Sequence, residues 1–336
     1  MHPTTTSTFL RRSLVAACAT TAAVALAACS SGGAAAPASG LTPVSVGFIA
    51  ATAGFAPELT IQNDPGMCAP YGVAPTMQIV SPQTSGPALA AGKIQVMRHS
   101  SGAMLTSAYQ NRSAMKIVAS VSSPPYNVWG TKDIKSVADL RGKTVGVTAA
   151  GSTGDLAMRQ LLAEQGMEAG KDVKITYGGD ATAVLGLAAS NAIQGFLFPP
   201  PLPEVASRAG VHELANVAEY RTVTPTLATV IAAAEPFASQ HQPAVKGLLQ
   251  CLQAAIKLTL AKDPKVVQAL AKAEGKSVDT AKKEIDAIAA PTAFQLGPFT
   301  TDDAKDVMHA LESANVQKFD GFDPADAIDT SLAPAN

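Results

Sequence analysis

Lys143-Thr-Val-Gly-Val147, then Gly151-Ser-Thr-Gly154 opening the run to Gln165, is the stretch on which the fold reading turns. The first five residues have the length and β-branched content of a short buried strand. Residues 152–165 are amphipathic, with Leu156, Leu161 and Leu162 on one helical face and Gly166 as the stop signal. The alternation continues outward: a strand at 173–177, a helix at 181–190, a strand at 193–198 and a helix at 202–208. Strands and helices in strict turn predict an α/β fold whose sheet is mostly parallel.

The same alternation precedes this unit. Strands are expected at 44–49, 77–81, 93–97 and 116–121, with helix-permissive segments at 86–91 and 103–110. Beyond it, 224–232 reads as extended and the remainder as helices. In the region 243–262, Val245, Leu248, Leu249, Leu252, Ala255 and Ile256 recur at helical spacing. Further helices are expected at 263–273, 277–289 and 301–313. Extended crossovers near 126–131 and 222–229 divide the chain into two α/β lobes. A cleft between lobes, at the carboxyl ends of the strands, is where open sheets of this kind take ligands.

Upstream, an apolar run from Leu14 to Leu26 follows Arg11-Arg12 and ends in Leu26-Ala27-Ala28-Cys29. It is shorter than the roughly 20 residues that cross a bilayer and has the build of an export signal. The four-residue ending is similar to a bacterial lipoprotein motif, which implies cleavage before Cys29 and acylation of that cysteine. An ordinary signal cut at Ala28 is the alternative. Residues 30–42 are rich in Ser, Gly, Ala and Pro and read as a flexible tether.

Composition excludes several classes. The formal charge is −1 and charged residues make up only 15 % of the chain, so the clustered basic footprint of a nucleic-acid partner is missing. Histidines at 2, 99, 212, 241 and 309 have no metal-like spacing. No serine elbow occurs, and no cofactor is expected. The segment from Gly146 to Thr153 has the glycines of a phosphate loop but Ser152 where the lysine belongs, which argues against nucleotide hydrolysis. Cys18 leaves with the signal, so Cys68 and Cys251 remain, either as a disulfide in an oxidising compartment or as two buried thiols.

The run Ile134-Lys-Ser-Val-Ala-Asp-Leu-Arg-Gly-Lys-Thr-Val-Gly-Val147 with Gly151-Ser-Thr-Gly154 resembles the second-lobe entry of ABC-importer solute-binding proteins, in the branch for sulfonates, nitrate, taurine and thiamine precursors. Ser85-Gly-Pro-Ala-Leu-Ala-Ala-Gly92, Ser100-Ser101 and the segment from Asp180 to Ala189 match as well. The resemblance implies a two-lobed periplasmic-binding-protein fold of type II with two crossover hinge strands. It implies an export signal at 1–28, a tether at 29–42, lobe 1 at 43–128 plus 225–336, and lobe 2 at 129–224. The implied protein is a non-enzymatic, monomeric lipoprotein facing the periplasm or cell exterior. Its partners are a small solute, a membrane permease and, through its lipid, the membrane. Relatives often carry aspartates where Gln95 and Gln194 stand, and a tryptophan-aspartate-proline where Phe198-Pro199-Pro200 stands.

Candidate ligand residues follow from chemistry at the strand ends. A helix opening at Ser152-Thr153 presents unpaired N–H groups and the positive end of its dipole, which suit an anion; plain capping is the other use of those hydroxyls. Thr84-Ser85 and Ser100-Ser101 would face the same cleft from the first lobe, or serve as turn residues. Arg98 and His99 could add positive charge. Phe55 and Phe198 could supply a flat apolar wall, as could Trp129. A sulfonate-like anion is the first expectation for the solute, and a pyrimidine-like heterocycle or aromatic carboxylate the second. An enzyme or a sensory protein on the same scaffold is the alternative of another class.

Overall fold

A computed structural model describes residues 40–334, apart from 113, 123–125, 201, 204, 205, 208, 218, 219, 221, 222 and 291. The export signal, Cys29 and the tether as far as residue 39 lie outside the described residues. Of the helix expected at 202–208, only 202, 203, 206 and 207 lie within them.

In chain order the first half contains β1 (Thr42–Phe48), α1 (Ala56–Asn63), β2 (Val73–Ile79), α2 (Pro82–Ala90), β3 (Val96–Ser100), α3 (Ser101–Gln110) and β4 (Met115–Val121). Next come β5 (Asn127–Gly130), β6 (Thr144–Val147), α4 (Thr153–Glu164), β7 (Lys174–Tyr177), α5 (Ala181–Ala189), β8 (Gly195–Phe198) and β9 (His212–Asn216). The chain returns through α6 (Thr224–Leu227), β10 (Thr229–Ala234), α7 (Glu235–Gln240), α8 (Gln242–Leu260), α9 (Pro264–Glu274), α10 (Val278–Ile288), β11 (Leu296–Gly297) and α11 (Thr301–Ser313).

Two sheets result, ordered β11-β4-β10-β3-β1-β2 and β7-β6-β8-β5-β9. β1 runs parallel to β2 and β3, and β6 parallel to β7 and β8. Each sheet also takes in one antiparallel strand from a crossover: β10 between β3 and β4, and β5 between β8 and β9. This shared order is the two-lobed type II arrangement, and it brings the carboxyl ends of β1, β3 and β6 next to the helices that follow them.

The apolar stripe of α8 explains its place. Val245, Leu248, Leu249, Leu252, Ala255 and Ile256 are buried in the core that covers the first sheet. Cys251 borders that stripe and is bonded to Cys68 in the 3₁₀ segment Pro65–Tyr71, with Cα atoms 5.2 Å apart. One turn earlier, Gly247 passes so close to the Tyr71 carbonyl that a Cβ would lie 2.2 Å from its oxygen, so the helix approaches only where there is no side chain.

Several elements differ from the sequence expectation. β3 lies three residues later than expected, because its last residues Arg98, His99 and Ser100 are polar yet buried. β2 begins at Val73, four residues early, to run the full length of β1. The stretch 224–232 is not extended throughout: one helical turn precedes β10. α1, with buried Glu58 and Thr60 in its apolar face, and β9, an edge strand with exposed His212 and Glu213, carry no clear period.

Candidate ligand-binding site

The start of α4 is held by its own side chains. Ser152 is the N-cap, its hydroxyl accepting the Asp155 N–H at 3.3 Å. Asp155 is fully buried; its carboxylate accepts the Gly151 N–H at 2.9 Å and the Arg159 Nε–H at 2.9 Å. Gly151 has φ +70°, and a Cβ there would lie 2.5 Å from Val316 Cγ1; both the backbone and the close approach require glycine. Two N–H groups, those of Thr153 and Gly154, are left without an acceptor among the described residues. They are the anion-binding capacity of this helix terminus, lessened by the carboxylate already lodged behind it.

From the first sheet, β3 and α3 bring Ser100 to Gly102 to the same place. A Cβ on Gly102 would lie 3.4 Å from Leu311 of α11 and 3.5 Å from Leu156 of α4. The two helix starts expected to share a site are therefore neighbours, with apolar side chains between them. Ser101 is wholly buried and its hydroxyl has no partner among the described residues. The Ser100 hydroxyl lies 3.1 Å from His99 Nδ1, and the Ser100 N–H donates to that nitrogen at 2.7 Å. Nδ1 is thereby an acceptor, which places the ring proton on Nε2.

Neither expected cation is free. Burial lowers the His99 pKa to about 4, an effect the Pro82 carbonyl only partly offsets, so the ring is neutral. The Arg98 guanidinium is paired with Glu58 at 2.8 Å, and both side chains are only 3 % exposed. Its Nε–H donates to Thr229 Oγ1 at 2.9 Å, and its Cζ sits 4.8 Å from the Phe55 ring centre and 6.0 Å from that of Phe294. Phe55 is thus a platform for Arg98. Burial pushes the Glu58 carboxyl up while Arg98 pulls it down. Glu58 Oε1 has no partner among the described residues, and Glu58 and Arg98 help line a mostly apolar void of about 20 Å³.

The other expected donors are engaged locally. Ser85 is buried and its hydroxyl donates to the Pro82 carbonyl at 2.8 Å; the exposed Thr84 donates to the Ser81 carbonyl at 3.3 Å. Both bonds lie within the first turn of α2. Phe198 is half-buried at the end of β8, and its carbonyl accepts the Trp129 indole N–H at 2.8 Å. Sequence reasoning missed Asp155, Glu58, Leu311 and Val316. Only Asp155 left a signal, three residues after the capping Ser152. Among the described residues no cluster of metal-ligating side chains occurs, and no helix is long and apolar enough to cross a membrane.

The model of the NMT1-like family matches residues 37–273. Among curated proteins none matches. Solved structures do. The alkanesulfonate-binding protein of Xanthomonas axonopodis pv. citri, bound to MOPS, is 16 % identical over 85 % of this chain and 98 % of its own, with a TM-score of 0.68. The periplasmic aliphatic sulphonate-binding protein of Escherichia coli is 18 % identical over 85 % of this chain and 91 % of its own, TM-score 0.68. The periplasmic nitrate-binding protein of Synechocystis PCC 6803 is 18 % identical over 87 % of each chain, TM-score 0.64. At these identities the likeness establishes the two-lobed fold.

Proposed function

Because the chain belongs to the NMT1-like family, we propose that it is the extracytoplasmic solute-binding component of an ABC importer, gripping a small organic anion such as a sulfonate between its two lobes. The observation that carries this reading is the approach of Gly102, at the start of α3, to Leu156, in the first turn of α4. Helix starts from both halves meet there, beside the unpaired amides of Thr153 and Gly154. A solute that bridges them favours the closed arrangement by its differential affinity for it. The neighbouring structures named for sulfonate and nitrate binding support an anion.

Lobe 1 is assigned to 43–128 plus 225–336, and lobe 2 to 129–224. The ending Leu26-Ala-Ala-Cys29 supports export and anchoring through a lipid on Cys29, with 29–42 as the tether. Delivery of the solute to a membrane permease by a monomer follows from the same reading, and no catalytic step is assigned. One observation favours a neutral or weakly charged heterocycle as a second reading: Arg98 and Arg159 are each already neutralised by a buried carboxylate. A thermal-shift screen against sulfonates, carboxylates, nitrate and pyrimidines separates the two, because a tight ligand raises the melting temperature by mass action. Sulfonates are expected to give the largest shift. No shift with any class would end the reading.

A further inference from the structure

Leu227 and Thr229 lie two residues apart yet are held by different halves of the protein. Leu227, the last residue of α6, is buried in a core of the second sheet, and α6 itself lies between α4 and α11 at the seam of the halves. Thr229 opens β10, opposite Ser100 and Val121, the last residues of β3 and β4. Its hydroxyl donates to the Val121 carbonyl at 3.2 Å and accepts the Arg98 Nε–H at 2.9 Å, so it is used in both directions. Arg98 is in turn paired with Glu58 of α1. Between the two, the Ala228 carbonyl accepts the Ser101 N–H at 3.4 Å.

The first crossover is fastened at the same level. Ser122, next to Val121, donates its N–H to the Gln295 carbonyl at 2.9 Å and accepts the Phe294 N–H at 3.2 Å, both in the loop before β11. Tyr126 already packs against the second core. Burial raises the pKa of its hydroxyl and the Arg98 charge opposes that rise, so Arg98 faces this crossover as well. The guanidinium is the fixed point, because moving it would leave a buried charge without its partner. The return crossover is therefore tied to the first sheet from the Ala228 carbonyl onward. The peptide joining Leu227 to Ala228 is planar, which leaves ψ of Leu227 and φ of Ala228 as the torsions between the halves. Resting on the solute-binding reading above, we propose that Glu58, Arg98 and Thr229 form a pin that confines bending of the return crossover to the Leu227–Ala228 joint, and so sets how far the halves part before a solute closes them. They are positioning residues, acting through the joint.

The test reads the spread of distances between the halves by pulsed electron resonance. Gln83 in α2 and Thr182 in α5, both exposed, are each replaced by a ketone-bearing amino acid that takes a spin label. Thr229→Val removes the hydroxyl and keeps the branched shape. It should broaden the distances in the solute-free protein and weaken ethanesulfonate binding about threefold, as the binding-competent share of the free protein falls. Thr229→Ser keeps the hydroxyl and should restore both. A hydroxyl that only stabilised the fold would lower the melting temperature and leave the distances unchanged, and that result overturns the pin. Ala228→Gly loosens the same joint without altering any of the three side chains and should broaden the distances too, so it decides the matter if Thr229→Val does not fold. A wild type that binds no ethanesulfonate, with the broadening still seen, overturns the sulfonate assignment and supports the pin.

Discussion

Gln194 stands in the second sheet where Gln95 stands in the first. The Gln95 side-chain carbonyl accepts the Ser45 N–H at 2.7 Å while the Gln95 backbone N–H donates to the Ser45 carbonyl at 3.0 Å. Gln194 does the same to Thr144, at 3.2 Å and 2.7 Å. Each glutamine brackets one residue of the neighbouring parallel strand and fixes the register of β3 on β1, or β8 on β6. Both glutamines thus serve sheet assembly at the starts of β3 and β8.

Gln95→Ala removes the acceptor of the Ser45 N–H and should cost about 1–2 kcal/mol. Gln95→Glu keeps an acceptor of the same reach and should cost less. Urea denaturation midpoints of the two variants give the comparison.

Cutting Glu58 to alanine leaves Arg98 charged and unpaired in the core, at a cost of about 3–5 kcal/mol. Replacing both, as Glu58→Leu with Arg98→Met, removes the charge together with its partner and should recover most of that loss. Equilibrium unfolding of the single and double variants measures the difference; a double variant no better than the single would refute the pairing argument.

His99 gives a pH dependence of known sign. Its folded pKa is about 4 because of burial, against about 6.5 in an unfolded chain. Between those values the unfolded state binds a proton that the folded state refuses, so stability rises with pH. The contribution is complete above pH 6.5 and is lost as pH falls towards 4, by about 3 kcal/mol in all. His99→Asn, which keeps an acceptor for the Ser100 N–H, should remove that part of the acid sensitivity in unfolding curves taken at pH 7 and pH 4.5.

The Cys68–Cys251 bond closes a loop with a sequence separation of 183. In the chain-entropy account its loss costs about 5 kcal/mol. Paired Cys68→Ser and Cys251→Ser substitutions, or reduction before heating, should lower the melting temperature strongly, and an unchanged temperature would mean the bond restrains little.

The contrast between β6 and β3 shows what the sequence could disclose. Val145 and Val147 announce β6, as the spaced leucines announce α4 and the apolar stripe announces α8. In β3 all five residues are buried and the last three are polar: Arg98 is paired with Glu58, forty residues earlier, and His99 Nδ1 accepts the Ser100 N–H. Such pairing leaves no periodic trace. The same holds for the site: Ser152 as a cap was legible from its place before a helix, whereas the meeting of Gly102 with Leu156 depends on how two halves pack. The charge of Arg98 was legible too, but its neutralisation was not.

Solute binding as proposed depends on the amides at the start of α4, and one substitution addresses them. Thr153 is the first helical residue, a position where proline is accepted, and Ser152 before it has φ −66° and ψ 158°, the extended geometry that precedes proline. Thr153→Pro therefore deletes an unpaired N–H while sparing the fold. Calorimetric titration with the sulfonate that gives the largest thermal shift should show affinity reduced about tenfold or more, at an unchanged melting temperature of the free protein. Full affinity in the folded variant would contradict a solute held at this helix terminus.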